Sequence, residues 1–394
     1  MGLDNRVFAI QAGLDGRVNA VIDQTLAEKR LVGAVVMIYM DGSPVYVRAA
    51  GLADREEQRP MHEDALFRLS SVSKPIVSTA ALVLAAQGLI KLDESIERWL
   101  PDFRPRLISG EQPSITVRQL LTHTAGLTYG FLEEEGGGPY HRAGVSDGMD
   151  FSNLTLEENL QRLASVPLLY TPGKAWGYSI ATDVLGAIIS RVCGTTLDAA
   201  VKKLVTEPLG MHDTSFAVAD AGRLAAPYVN DISEPRRMRE LEVAQVFEGT
   251  AGLRFQPARA FDPTAFHSGG SGMIGSAKDF MRLLETLRNG GNPLLSEEWV
   301  REMGTIQTEN LPLAGWPGRG FGLGFTVLQN PDESGTAESP GTWRLGGAYG
   351  HSWFVDPALR LSVVAFTNTA FEGMSGPFTT ELCQAIYGSS NRVQ

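Results

Sequence analysis

Ser71 stands three residues before Lys74 in Phe67-Arg68-Leu69-Ser70-Ser71-Val72-Ser73-Lys74-Pro75, and a long apolar run comes directly after. If that run is helical, the two side chains lie one turn apart on one face, near its N-terminus. A hydroxyl and an amine so placed can pass a proton, which lets a serine act as a nucleophile without a histidine. Burial disfavours the charged form of an amine, and Lys74 is the only charged residue between Arg68 and Lys91. The same letters also suit an ordinary helix start, with Ser70 or Ser71 as N-cap and Lys74 in solvent. Two further motifs downstream favour the chemical reading.

Pro172-Gly173-Lys174-Ala175-Trp176-Gly177-Tyr178-Ser179-Ile180 again leads into a helical pattern. Tyr178 follows a glycine-punctuated turn, where a side chain can project into a cleft. A phenol beside an amine can share its proton as general acid or base. Near the C-terminus, Arg344-Leu345-Gly346-Gly347-Ala348-Tyr349-Gly350-His351-Ser352-Trp353 carries glycines inside a strand pattern. Such glycines mark a bulge or a close backbone approach by a ligand, and an N–H exposed there is a natural oxyanion donor.

One motif competes. Gly144-Val145-Ser146-Asp147-Gly148 matches the Gly-x-Ser-x-Gly nucleophile elbow, which works only on a sharp turn between a buried strand and a helix. The preceding residues are Gly-rich, charged and aromatic, and Met149-Asp150-Phe151-Ser152-Asn153 is no helix opening. Ser146 is therefore expected to be a decoy.

The elements that must position these groups come from both chain ends. Apolar spacing predicts a helix over 13–30, with Val18, Val21, Ile22 and Leu26 on one face. Strands come next over 32–40 and 45–50, joined by the tight-turn signal Asp41-Gly42. Short helical segments are expected at 115–121, 157–164 and 182–192, a flexible acidic loop at 133–139, and a long surface excursion over 221–260. Strand signals return at 322–328, 341–344, 352–355 and 361–368, before a final helix over 376–387. Strands at both ends with helices between them predict an α/β (α+β) fold. Its antiparallel sheet is built by the N- and C-terminal segments and flanked by helices, and a mostly helical second domain is inserted. The expected division is 1–85 and 268–394 for the α/β domain and 86–267 for the helical one, with the active site in the cleft between them.

Composition narrows the partners. At 394 residues with 43% hydrophobic and 20% charged residues, the chain can bury a large core and has no disordered character. A net charge of −11 argues against nucleic acid, which needs a concentrated positive field. No apolar run reaches membrane-spanning length, and Met1 to Ile10 lacks a signal-peptide core, so a cytoplasmic protein is expected. Cys193 and Cys383 are isolated, which suits reduced thiols, and the histidines show no ligand spacing. No metal and no cofactor is expected, and the oligomeric state stays open, a homodimer included.

Taken together, Ser71-Val72-Ser73-Lys74, Tyr178-Ser179-Ile180 and Leu345-Gly346-Gly347 resemble the three motifs of the penicillin-recognising serine hydrolases. The tyrosine, with Leu120-Leu121-Thr122-His123-Thr124-Ala125-Gly126-Leu127, resembles the class C β-lactamase branch, and above all the family VIII carboxylesterases of the esterase B type. Members of that group also carry a non-catalytic Gly-x-Ser-x-Gly. The resemblance implies that Ser71 is the nucleophile, Lys74 the base, Tyr178 a proton shuttle, and the N–H groups of Ser71 and Ala348 the oxyanion hole. Two departures matter. Leu345 stands where β-lactamases carry a lysine that attracts the substrate carboxylate, and Ile180 stands where class C enzymes carry asparagine. Both make the site more apolar.

The implied activity is hydrolysis of short- to medium-chain carboxylic esters through an acyl-enzyme, with a small-molecule ester as partner and neither nucleic acid nor membrane. Alternatives on the same fold are a β-lactamase or a D-amino-acid peptidase or acyltransferase, and a non-catalytic ligand-binding member. Leu345, Gly346, Gly347, Tyr129, Trp176, Tyr349 and His351 are the expected substrate-pocket residues, and Phe131, Tyr140 and Trp353 are further aromatic candidates.

Overall fold

The computed structural model describes residues 6–7, 10–150 and 153–388. Most of the N-terminal stretch tested for a signal peptide, and Phe151 and Ser152 after the decoy motif, lie outside the described residues.

The two chain ends meet in one antiparallel sheet. Its strands are β1 (Gly33–Met40), β2 (Ser43–Asp54), β3 (Arg59–Pro60), β4 (Arg319–Phe321), β5 (Thr326–Leu328), β6 (Trp343–Gly347), β7 (His351–Asp356) and β8 (Leu361–Thr367). The order across the sheet is β4-β5-β6-β7-β8-β1-β2-β3. The seam between the ends is β8 on β1, with Ala34 opposite Thr367 and Met40 opposite Leu361. Alternation along each strand divides the side chains between two cores. Ala34, Val36 and Ile38 join Val363 and Ala365 on one side, beneath α1 (Leu14–Ala27) and α5 (Pro377–Tyr387). Val35, Met37, Val364 and Phe366 face the other side, where α2 (Ser73–Ala86), α3 (Ala181–Cys193) and α4 (Ala277–Arg288) complete the larger core.

Between α2 and α4 the described chain is mainly short helices and turns, with two-residue and three-residue strands at Tyr228–Val229, Arg236–Arg237, Glu242–Ala244 and Leu253–Phe255. The excursion over 221–260 thus carries more β-pairing than its composition suggests. The single strand expected over 322–328 is a hairpin instead. Gly324 takes φ 109°, a backbone that favours glycine, and the chain reverses between β4 and β5.

The serine motif does not begin inside the helix. Ser70–Val72 forms a 3₁₀ turn and α2 starts at Ser73, so Ser71 and Lys74 straddle the junction. Ser70 has φ 45°, an unusual value for a serine that costs roughly 1–3 kcal/mol. From Ser73 to Ala85 every residue of α2 is buried, which makes it the central helix of the larger core.

Candidate active site

The 3₁₀ turn presents the Ser71 hydroxyl at the N-terminal end of α2, and Lys74 reaches back to it from the first turn. The amine Nζ lies 3.1 Å from Ser71 Oγ. On its other side it donates to the Gly270 carbonyl at 2.9 Å. The Tyr178 hydroxyl donates to the same Ser71 Oγ at 2.7 Å. Lys74 has no exposed surface, and its amine sits 4.8 Å from the Tyr178 ring centroid and 5.2 Å from that of Tyr129. The three groups named from sequence thus form one triangle around a single oxygen.

Tyr178 is held by groups the motif reading missed. His123, at φ 56°, accepts the Ser179 N–H at Nδ1 (3.2 Å), meets the Ser179 hydroxyl at 3.0 Å, and takes the Gly177 N–H on its carbonyl (3.0 Å). Its ring lies 4.9 Å from the Tyr178 ring. Burial, and then the neighbouring Lys74, pushes this imidazole well below its usual range, so it stays neutral. Trp316 closes the outer side, with its ring 5.7 Å from Tyr178 and 5.2 Å from Trp176.

A buried carboxylate completes the surroundings. Asp183, from the first turn of α3, is 1% exposed, and its own burial raises it to about 6 despite Ser268, Lys74 and Arg259 nearby. A methyl group placed on Gly270 would stand 2.7 Å from Asp183 Oδ2, 2.9 Å from the Tyr129 hydroxyl and 3.5 Å from Lys74 Nζ. Gly270 therefore lets these three groups converge.

Strand β6 closes the site from the sheet side. Gly347 faces the 3₁₀ turn, and a Cβ there would meet the Leu69 carbonyl at 2.6 Å and Ser70 Oγ at 2.8 Å. Leu345 shares that face by alternation and is buried. Gly346 points to the opposite face, toward Met374, and so is not a pocket residue. Ala348 begins the turn to β7, and the Tyr349 N–H is accepted by Ser70 Oγ at 3.3 Å.

Several aromatic candidates are also relocated. His351 is 1% exposed, its Nε2 lies 2.8 Å from the Arg68 carbonyl, and it packs on Phe67 and Phe366. Burial pushes it down to about 4, so it is a neutral core group rather than a pocket residue. Trp353 lies in the core against Phe280 and Phe325. The Tyr349 ring turns away toward Phe255, with Arg68 over it. Tyr129 does reach the site, from beneath Lys74, with Phe131 stacked on it, while the Tyr140 hydroxyl accepts the Thr128 N–H behind it.

Ser146 lies apart and is locked. It is 1% exposed, and its hydroxyl bonds the Asp150 carboxylate and accepts the Gly148 N–H (3.1 Å). Asp147 accepts the N–H groups of Gly130 (2.8 Å) and Phe131 (3.0 Å). The Gly-x-Ser-x-Gly segment is thus a structural clasp behind Tyr129. Among the described residues no group of His, Cys, Asp and Glu could hold a metal ion.

A family model described as beta-lactamase matches residues 18–383. The chain belongs to the β-lactamase family. It is 50% identical to esterase EstB of Burkholderia gladioli over 392 residues, covering 98% of each chain. That places this β-lactamase-family protein with the family VIII esterases. The solved structure of EstCE1, a hydrolase with promiscuous acyltransferase activity, superimposes with a TM-score of 0.92 at 42% identity. It covers 96% of this chain and 99% of its own. A monacolin J acid methylbutanoyltransferase of Aspergillus terreus is 25% identical over 385 residues, covering 87% of this chain and 88% of its own.

Proposed function

We propose that this protein is a serine carboxylesterase acting on carboxylic esters with short- to medium-chain acyl groups. The observation that carries the reading is one oxygen, Ser71 Oγ, held 3.1 Å from Lys74 Nζ and 2.7 Å from the Tyr178 hydroxyl. Ser71 Oγ attacks the ester carbonyl as its proton passes to Lys74, and a carbon–oxygen bond forms. The carbonyl oxygen, now negative, is received by the N–H groups of Ser71 and Ala348, a contribution worth about 3–4 kcal/mol per donor in related chemistry. The bond to the alcohol breaks, and the leaving oxygen takes the proton from Lys74 by way of Tyr178. Water then enters, gives its proton to the same pair, and releases the acid while Ser71 regains its hydrogen.

Leu345 supports esters over β-lactams. A buried leucine offers an incoming carboxylate neither charge nor donor at the position where β-lactamases anchor one. A fluorophosphonate label with mass spectrometry of the modified peptide tests the assignment: modification at Ser71 is expected, and Ser71→Ala should abolish turnover of p-nitrophenyl butyrate. Modification elsewhere, or an active Ser71→Ala enzyme, refutes it.

A second reading, acyl transfer to an alcohol, has its own support in the aromatic wall of Trp176, Trp316 and Tyr178. A wall of this kind offers an alcohol an apolar surface while leaving water few partners. Addition of methanol or a longer alcohol during butyrate turnover separates the two acceptors by product analysis.

A further inference from the structure

Two arginines that the reaction does not use share one cavity. Arg68, three residues before Ser71, and Arg259 both line a recess of about 30 Å³, together with Tyr349, Ser271, Gly272 and Met149. Each guanidinium holds backbone carbonyls. Arg68 donates to Pro257 and Ala225 (both 3.0 Å), and Arg259 to Asp150 (2.8 Å) and Phe266 (2.6 Å). Among the described residues, neither has a carboxylate within ion-pair distance, although 23 such pairs occur elsewhere in the molecule, most of them involving arginine. Asp150, Asp183 and Asp262 act on Arg259 only from farther away, and Arg68 is acted on by Tyr349, which favours its charge, and by another cation, Arg237, which opposes it. Burial lowers both guanidinium groups from their ordinary value, the sign of cations short of compensation.

The recess is lined by chain neighbours of the reaction centre. Tyr349 comes directly after Ala348, and Ser271 directly after Gly270, whose carbonyl holds Lys74. Three residues of extended chain span at most about 11 Å, so the Arg68 backbone lies within that reach of Ser71. The alcohol must leave beside Tyr178, and none of Tyr178, Trp176 and Trp316 lines the recess. A substrate group that reaches the recess would therefore belong to the acyl side.

We propose that this recess receives a carboxylate at the far end of the acyl group, so that monoesters of dicarboxylic acids are a preferred substrate class. The proposal rests on the esterase reading and refines it. Two guanidinium forks with donors to spare suit a carboxylate in bidentate contact, and the small volume suits a compact anionic head. The chain as a whole, at −11, repels anions, so any preference for one must arise locally.

The test compares p-nitrophenyl hemiglutarate, its methyl-capped counterpart of the same length, and p-nitrophenyl butyrate. A kcat/KM at least tenfold higher for the free carboxylate than for the capped ester is expected in the unaltered enzyme. Arg68→Met and Arg259→Met should each shrink that ratio, and Arg259→Lys should retain part of it. The ratio in the unaltered enzyme decides the matter even where a variant folds poorly. Turnover of butyrate with a ratio near one overturns this proposal alone; no turnover of any ester removes the esterase reading and this proposal with it.

Discussion

Gly347 approaches the serine turn so closely that a single added methyl would stand 2.6 Å from the Leu69 carbonyl and 2.8 Å from Ser70 Oγ. The sheet and the nucleophile turn are therefore fitted backbone to backbone, and Ser70, at φ 45°, is held in its strained shape by that fit. Ala348, the proposed oxyanion donor, is the next residue along. Gly347→Ala should push β6 off the turn, cost on the order of 1–3 kcal/mol in stability, and lower kcat for butyrate at least tenfold. Burst kinetics would locate the loss in acylation.

Asp183 ties stability to pH against the interest of activity. Its folded value, about 6, lies above the ordinary 3.8 because the carboxyl is buried. Its contribution to stability is thus fully present below about pH 4 and is lost as pH rises through about 6. Above that, a buried charge remains beside Lys74, where it favours the ammonium formed as Ser71 gives up its proton. Asp183→Asn should therefore gain up to about 3 kcal/mol in stability over the parent at pH 8, a gain that fades by pH 4. The same variant should lose on the order of tenfold in kcat, equivalent to about 1.4 kcal/mol of transition-state stabilisation. Denaturant melts at the two pH values and steady-state kinetics check both halves.

Ser146 offers the opposite dissociation. Ser146→Ala leaves the Gly148 N–H without its acceptor and the Asp150 carboxylate without its hydroxyl partner. A loss of roughly 1–3 kcal/mol is expected, with kcat for butyrate within a few-fold of the parent at a temperature where the variant is folded. Collapse of kcat in a folded Ser146→Ala enzyme would contradict the clasp.

What could be read from the letters alone was set by range. Ser71 and Lys74 are three residues apart, and Tyr178 sits on a glycine turn, so local patterns sufficed to find them. His123 meets Ser179 across 56 residues, and Lys74 meets Gly270 across 196. His123 lies in a segment that the resemblance marks, but nothing local gives its role, and nothing local marks Gly270. The β1–β8 seam was recoverable because each strand carries its own apolar signature. His351 was misplaced for a physical reason: all six residues of β7 are buried, so both faces look alike and alternation cannot say which one meets the cleft. Asp183 was invisible because a lone acid in an apolar helix reads as a first-turn charge complementing the helix dipole.

His123 acts on the reaction through Tyr178 and touches none of the reacting atoms. Its tether of Ser179 and Gly177 sets where the phenol stands. His123→Ala should lower kcat more than it raises KM, because the phenol loses its aim while the apolar wall remains. The imidazole already stays neutral, so this variant should leave the acid limb of the pH profile where it was. A shifted limb would mean that His123 itself exchanges protons during turnover.

Trp316 stands at the outer edge of the same wall, in edge-to-face contact with Tyr178 at 5.7 Å. It is the aromatic group best placed to meet the alcohol portion of an ester as that portion leaves past the phenol. Trp316→Ala removes an apolar surface worth on the order of 1–3 kcal/mol to a bound group. KM for esters of bulky alcohols should rise about tenfold or more, while methyl esters of the same acid change little. The acyl-enzyme is common to both substrates, so deacylation measured in single turnover should match the parent. With an added alcohol acceptor, the variant should shift its products toward the free acid, because water gains the space that the indole denied it. An unchanged ratio of transfer to hydrolysis would show that Trp316 packs the phenol and nothing more.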